Sequence, residues 1–163
     1  MGDLFMENFS VKTIGHVRAV NGRTSIILEK EYHPALAQLQ GFSHIQVLWW
    51  FHQSDCPESR SKVTEDSPYK NSPEVLGTFA TRSPERPNPI ALTCAAVNGI
   101  DEQKGVIELA HIDAEAGTPV LDIKPYAPSL DRVEKPSVPS WCADWPASVE
   151  ESGRFDWSSV FNF

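Results

Sequence analysis

The strongest constraint on this chain is a succession of short strand-like segments with almost nothing helical between them. Residues 12–18 (KTIGHVR) and 24–28 (TSIIL) are rich in Ile and Val. Asn21-Gly22 between them is a two-residue hairpin signal, because both residues tolerate positive φ. Residues 45–51 (IQVLWWF) form a continuous apolar run of strand length, and residues 75–81, 90–97, 105–112 and 120–123 follow. About seven strands at short spacing predict a mainly β fold, either a small barrel or a sandwich. One short helix is expected at residues 34–39 (PALAQL), with Pro34 in its first turn and Gly41 just past its end.

Two stretches read as connections. Residues 54–74 are polar and carry Pro57, Pro68 and Pro73, and long ordered loops of this kind are often functional. Residues 127–163 hold Pro128, Pro136, Pro139 and Pro146 and three of the five tryptophans. Trp141, Trp145, Trp157, Phe155 and Phe161 need a surface to pack on, either the strand core or a second subunit. The expected organisation is an N-terminal extension at 1–11, a β domain at 12–130 and an acidic, Trp- and Pro-rich tail at 131–163. Met6 is a candidate natural start, which would make residues 1–5 an addition.

A net charge of −8 over 163 residues excludes a globally basic nucleic-acid binder. The charge is uneven, however. Residues 1–100 carry nine basic and ten acidic groups, and residues 101–163 carry five against twelve. The first two thirds are therefore almost neutral. The three cysteines are far apart, with no CxxC pair, which points to free thiols in a reducing cytoplasm. No apolar run reaches transmembrane length, so no membrane partner is expected. The five histidines lack HxxxH or HExxH spacing, so no metal site is expected either. A nucleophile elbow, a Walker loop and a GxGxxG turn are all missing from the sequence.

Three segments concentrate chemistry. In residues 78–93 (TFATRSPERPNPIALT), Arg82 and Arg86 lie four apart, with Pro84, Pro87 and Pro89 stiffening the backbone. Such a loop loses little entropy on binding, and guanidiniums suit a carboxylate or phosphate. Asn88 between two prolines can present its amide as donor and acceptor. In residues 113–126 (DAEAGTPVLDIKPY), Asp122 is flanked by apolar residues and calls for a partner such as Lys124. In residues 49–53 (WWFHQ), strand alternation would put Trp50 and His52 on one face, where an aromatic beside His and Gln can stack a purine. Each segment has a plainer reading as well: surface ion pairs, a solvated hairpin and a core strand with a polar rim.

These segments resemble blocks of the TrmO (TsaA-like, formerly YaeB-like) proteins. WWFHQ matches a strand ending near FHQ. FATRSPERPNPI is similar to F-A-T-R-S-x-x-R-P-N-P-I, AGTPVLDIKPY to D-G-T-P-x-x-D-I-K-P-Y, and GFSHIQVL more weakly to F-S-H-L. The resemblance covers about residues 12–130. It implies a small, mostly antiparallel β-barrel that binds S-adenosylmethionine, usually as a homodimer. The implied reaction is methylation of N6 of threonylcarbamoyl-modified adenosine 37 in tRNA. It also implies a cofactor site of His52, Gln53, Arg82, Leu92, Asp113, Ala114, Glu115 and Ala116. Arg86, Asn88, Lys124 and Tyr126 are then expected to meet the substrate or the other subunit. Asp113, Asp122 and Tyr126 are candidates to take the acceptor's proton. The chain departs from the family pattern at Ala116, where Asp is usual, and residues 18–23 leave no room for a P-R-Q-like insertion. Two other readings remain: the same chemistry on a different acceptor, and cofactor sensing without turnover.

Overall fold

The computed structural model describes residues 7–162. Residues 1–5 therefore lie outside the described residues. Eight strands are described: β1 Gly15–Val20, β2 Arg23–Leu28, β3 His44–Trp50, β4 Thr64–Asp66, β5 Val75–Gly77, β6 Ile90–Asp101, β7 Val106–Leu109 and β8 Pro119–Pro125. Six of them close an antiparallel barrel in the order β1-β2-β7-β6-β3-β8, and β4 pairs with β5 outside it. The mainly β expectation thus resolves to a barrel rather than a sandwich.

Local chemistry accounts for the elements. Asn21 and Gly22 take φ of 51° and 74°, the positive pair that a two-residue hairpin needs. They set the β1–β2 register from Val20↔Arg23 to Gly15↔Leu28. β3 alternates strictly, with Ile45, Val47 and Trp49 buried and the residues between them half-buried. With Val17, Ile26, Ile107 and Val120 these fill the interior. The barrel closes on a short seam, where only Gly15↔Val120 and His16↔Pro119 pair β1 with β8. A β-carbon on Gly15 would stand 2.3 Å from the Ile27 carbonyl oxygen, so the seam needs glycine there.

Several expectations change. The first strand starts at Gly15, not Lys12. The helix expected at 34–39 is a 3₁₀ stretch over Lys30–Leu36, with Pro34 inside it and Leu36 buried. The segment 75–81 is a strand only to Gly77. It pairs with Thr64–Asp66, which the sequence presents as loop. Strand alternation stops at Trp50, and His52 opens a 3₁₀ turn, His52–Ser54, rather than continuing a strand face.

The tail from residue 139 onward folds over the β4–β5 arm. Tyr69, in the arm, stacks on Trp141 at 5.5 Å and meets Trp145 edge-on at 5.0 Å. Trp157 lies 5.4 Å from Trp145, and Phe155 lies 5.0 Å from Trp157. The Lys70 N–H donates to the Val160 carbonyl, and the Asn162 side-chain amide donates to the Ser67 carbonyl at 2.7 Å.

Candidate functional site

The end of β3 organises the site. Trp49 pairs with Ala91 of β6 on one side and with Val120 of β8 on the other. The chain leaving β3 therefore emerges between the start of β6 and the approach to β8. This brings two of the three sequence blocks to one place. The Gln53 side-chain amide donates to the Glu115 carboxylate and so ties the block after β3 to the turn before β8. That turn is itself fixed to β1, with the Gly117 N–H on the Val17 carbonyl at 2.8 Å. Gly117 takes φ of 87°, which the Gly-Thr-Pro turn requires.

The third block joins from the β6 side. The Phe51 N–H donates to the Pro89 carbonyl at 2.8 Å. Arg82 Nη1 donates to the Leu92 carbonyl at 3.0 Å, while the rest of its guanidinium is exposed. Ile90 and Leu92 point outward from β6, and Leu92 is 44% exposed. The rim thus offers a cation (Arg82), carboxylates (Asp113 and Glu115), an amide (Gln53), an imidazole (His52) and open apolar surface. His52, Gln53, Asp113, Glu115 and Ala116 are all solvent-accessible, and Ala114 is half-buried against the core.

Arg86, expected to meet the substrate or the other subunit, turns inward: its Nε donates to the Ser83 carbonyl at 2.7 Å and its Nη2 to the Thr81 carbonyl at 2.7 Å. The two arginines look alike in sequence, yet the loop closes around the second and leaves the first free to face outward. Asn88 is exposed at the loop's far end.

Asp55 and Arg60, which the sequence reading did not single out, brace the edge of this rim. Arg60 pairs with Asp55, and its guanidinium carbon lies 5.4 Å from the Trp50 ring centre. Trp50 Nε1 also donates to Asp55 at 3.0 Å, and Arg60 reaches the Pro87 carbonyl at 3.4 Å. This tie holds the turn after β3 against the proline-rich loop. The Arg60 guanidinium first, and the Trp50 N–H second, hold the Asp55 carboxyl below its ordinary range. The available signal was a Pro-opened helical turn, Pro57–Arg60, directly after the WWFHQ block.

Lys124 and Tyr126 lie apart from this cluster. In β8, Lys124 is opposite Gln46, and the Tyr126 ring meets His44 at the start of β3. That is five residues from Trp49 along the strand, about 17 Å. Asp122 is half-exposed rather than buried and pairs with Lys124 at 2.6 Å, which raises the Lys124 pKa. Its other neighbours line an apolar groove of about 380 Å³ with Tyr32, Leu36, Leu39 and Phe42. Cys94 is half-buried on the outer side of β6, and burial pushes its thiol pKa up. Among the described residues, no cluster of His, Cys, Asp or Glu could hold a metal, and no helix is long and apolar enough to cross a membrane.

The family model of the tRNA-methyltransferase O N-terminal domain matches residues 12–132. The chain belongs to the TrmO family. All of the expected site residues fall inside the matched TrmO segment, and most of the tail lies beyond it. The chain is 33% identical over 147 residues to the tRNA (adenine(37)-N6)-methyltransferase of Escherichia coli K12, covering 88% of this chain and 61% of that protein. It is 34% identical over 112 residues to an S-adenosyl-L-methionine-binding protein of Archaeoglobus fulgidus, covering 69% and 75%. The crystal structure of TrmO from Pseudomonas aeruginosa superposes with a TM-score of 0.62 at 30% identity, covering 80% of this chain and 62% of that one. This chain thus spans about three fifths of the length of the E. coli TrmO relative.

Proposed function

We propose that this protein transfers a methyl group from S-adenosylmethionine to N6 of adenosine 37 in tRNA, with the threonylcarbamoyl-modified base as acceptor. The observation that carries this reading is the convergence of Gln53–Glu115 and Arg82–Leu92 on the end of β3. Those are three separate sequence blocks within the span matched to the TrmO family. The names of the E. coli and A. fulgidus relatives supply the acceptor and the cofactor.

The residues present fit that cofactor. Its carboxylate calls for a cation, which Arg82 offers. Its ammonium and ribose hydroxyls call for acceptors, which the Glu115 carboxylate and the backbone of Asp113, Ala114 and Ala116 offer. Its adenine calls for apolar surface and an edge partner, which Leu92, His52 and Gln53 offer. When bound, it supplies a methyl group already activated on a sulfonium, so the protein's work is positioning. The barrel fixes the end of β3, the start of β6 and the turn before β8 before any ligand arrives, which keeps the ordering cost of that wall low.

The acceptor nitrogen must give up a proton. Asp113 is the best-placed of the three candidates. It stands beside Ala114–Ala116 in the site's own turn, whereas Asp122 is engaged by Lys124 and Tyr126 sits at the opposite end of β3. In this role the Asp113 carboxylate takes the proton. Asn88, Lys124 and Tyr126 then belong to substrate docking or to a second subunit. Phe79, 88% exposed at the edge of the Arg82 loop, and the neighbouring Ile90 and Leu92 suit a homodimer whose interface borders the site. The reading places residues 12–130 as the catalytic unit, working in the cytoplasm.

The test has two parts. Calorimetry should show saturable S-adenosylmethionine binding, weakened about tenfold or more by Arg82→Ala, in line with about 1.5–3 kcal/mol for a hydrogen bond to a charged group. Nucleoside analysis of tRNA from cells with and without the gene should lose one N6-methylated adenosine derivative. The reading fails if there is no binding at high-micromolar ligand. Binding with an unchanged tRNA profile would replace it with a different acceptor.

A further inference from the structure

We propose that the C-terminal segment 139–162 is a clamp that positions the Arg82 loop, and that Tyr69 is the positioning residue through which it acts. This rests on the reading of Arg82 as a cofactor ligand. The argument begins with the weakness of the arm. β4 and β5 are three residues each and pair only as Thr64↔Gly77, Glu65↔Leu76 and Asp66↔Val75. An isolated two-stranded ribbon of that length does not hold itself together in water. Yet β5 runs directly into the 3₁₀ turn Thr78–Ala80, and two residues later stands Arg82.

The loop itself is stiff. Thr81 Oγ1 donates to the Thr78 carbonyl at 2.9 Å and accepts from the Ser83 N–H at 3.2 Å. Arg86 closes it from within. A stiff loop goes wherever its two ends go. One end is β6, fixed in the barrel. The other is the arm, and the arm is held by the tail.

That hold is specific. Tyr69 is buried under the stacked face of Trp141 and the edge of Trp145, and Phe161 lies 5.8 Å away. The tail's backbone pairs with both sides of Tyr69. The Lys70 N–H donates to the Val160 carbonyl at 2.9 Å, and the Asn162 N–H donates to the Pro68 carbonyl at 3.2 Å. The Lys70 ammonium adds a donation to the Ser158 carbonyl. Tyr69 is thus gripped on its ring and on its flanking backbone. Burial raises the phenol's pKa and the nearby Arg82 backbone opposes that rise, so the group stays a neutral hydroxyl at physiological pH. Tyr69 thus brings the aromatic cluster up against the main chain of the residue whose guanidinium faces the site.

Tyr69→Phe separates positioning from folding, because it removes the hydroxyl and keeps the ring stack. The expected result is an unchanged thermal midpoint, S-adenosylmethionine binding weakened three- to tenfold, and faster hydrogen exchange at the Arg82 amide. In an Arg82→Ala background the same change should alter affinity less than twofold, since both substitutions would act through one contact. Trp145→Phe, which keeps an aromatic edge against Tyr69, should bind as the wild type does. Unchanged affinity in Tyr69→Phe, an unchanged Arg82 amide, or full additivity with Arg82→Ala would each overturn the clamp. If the wild type itself binds no S-adenosylmethionine, the cofactor reading falls. The Arg82 amide then still decides whether Tyr69 positions the loop.

Discussion

The barrel and the arm–tail module are held together by different physics. The barrel interior is aliphatic, with Ile26, Ile45, Val47, Ile107 and Val120 fully buried, and its ladder closes on itself without an edge. The arm–tail module has almost no ladder. Its interior is a set of rings meeting edge-on or stacked, Tyr69, Trp141, Trp145 and Trp157, joined by a few backbone bonds between segments about 90 residues apart. A closed ladder makes opening all-or-none. A ring cluster tying two loops can open alone. The candidate site spans the two, since Arg82 follows the arm while Leu92 belongs to the barrel. Site geometry then depends on a part of the molecule that can yield without unfolding the rest.

Ile107→Ala should show the largest effect. Ile107 is fully buried, and removing three methyl-type groups from such a site costs about 3–4 kcal/mol. The expected outcome in urea is one cooperative transition at a lower midpoint, with intrinsic fluorescence and far-UV dichroism shifting together. Separate transitions for the two probes would mean that the barrel is not a single unit.

Trp145→Ala should cost less overall and act locally. Trp145 is half-buried and touches Tyr69, Trp141 and Trp157, so about 2 kcal/mol is expected, most of it from the ring cluster. Limited proteolysis should cut residues 139–162 faster, while barrel dichroism melts near the wild-type temperature. If the whole chain instead melted early in step with the cuts, the module and the barrel would be one cooperative body.

The sequence revealed the barrel better than the module, for a physical reason. The β3 run IQVLWWF and the Asn21-Gly22 hairpin declare themselves through local pattern and local φ, and both are where the pattern puts them. The Thr64–Asp66 strand is polar throughout and exists because Val75–Gly77 and the tail pack beside it. No local signal carries that. The same holds at the site. Gln53, Arg82, Leu92 and Glu115 sit in blocks whose composition marks them. The opposite orientations of Arg82 and Arg86 follow from how the loop closes around Thr78 and Thr81, and the Asp55–Arg60–Trp50 tie follows from a turn that folds back on β3.

The smallest expected effect concerns the joint between the two regions. Asp55 bonds Arg60 and Trp50, and Arg60 in turn reaches Pro87, so the group links the barrel's exit to the proline-rich loop. Its carboxyl pKa is held down in the folded state, first by Arg60. A lowered folded pKa means that the stabilisation is present above the ordinary carboxylate pKa of about 3.9 and is lost as pH falls through the folded value. The pair is solvent-accessible, so the shift in urea midpoint on Asp55→Asn should be small at pH 7. It should shrink further at pH 3 and vanish once the wild-type carboxyl is protonated. The susceptibility of residues 54–62 to protease should follow the same trend, rising in the variant at pH 7. A midpoint difference that stayed constant from pH 7 into acid would show that the joint is held by the shape of Trp50 on Arg60 rather than by the carboxylate. The coupling between barrel and loop would then be insensitive to charge.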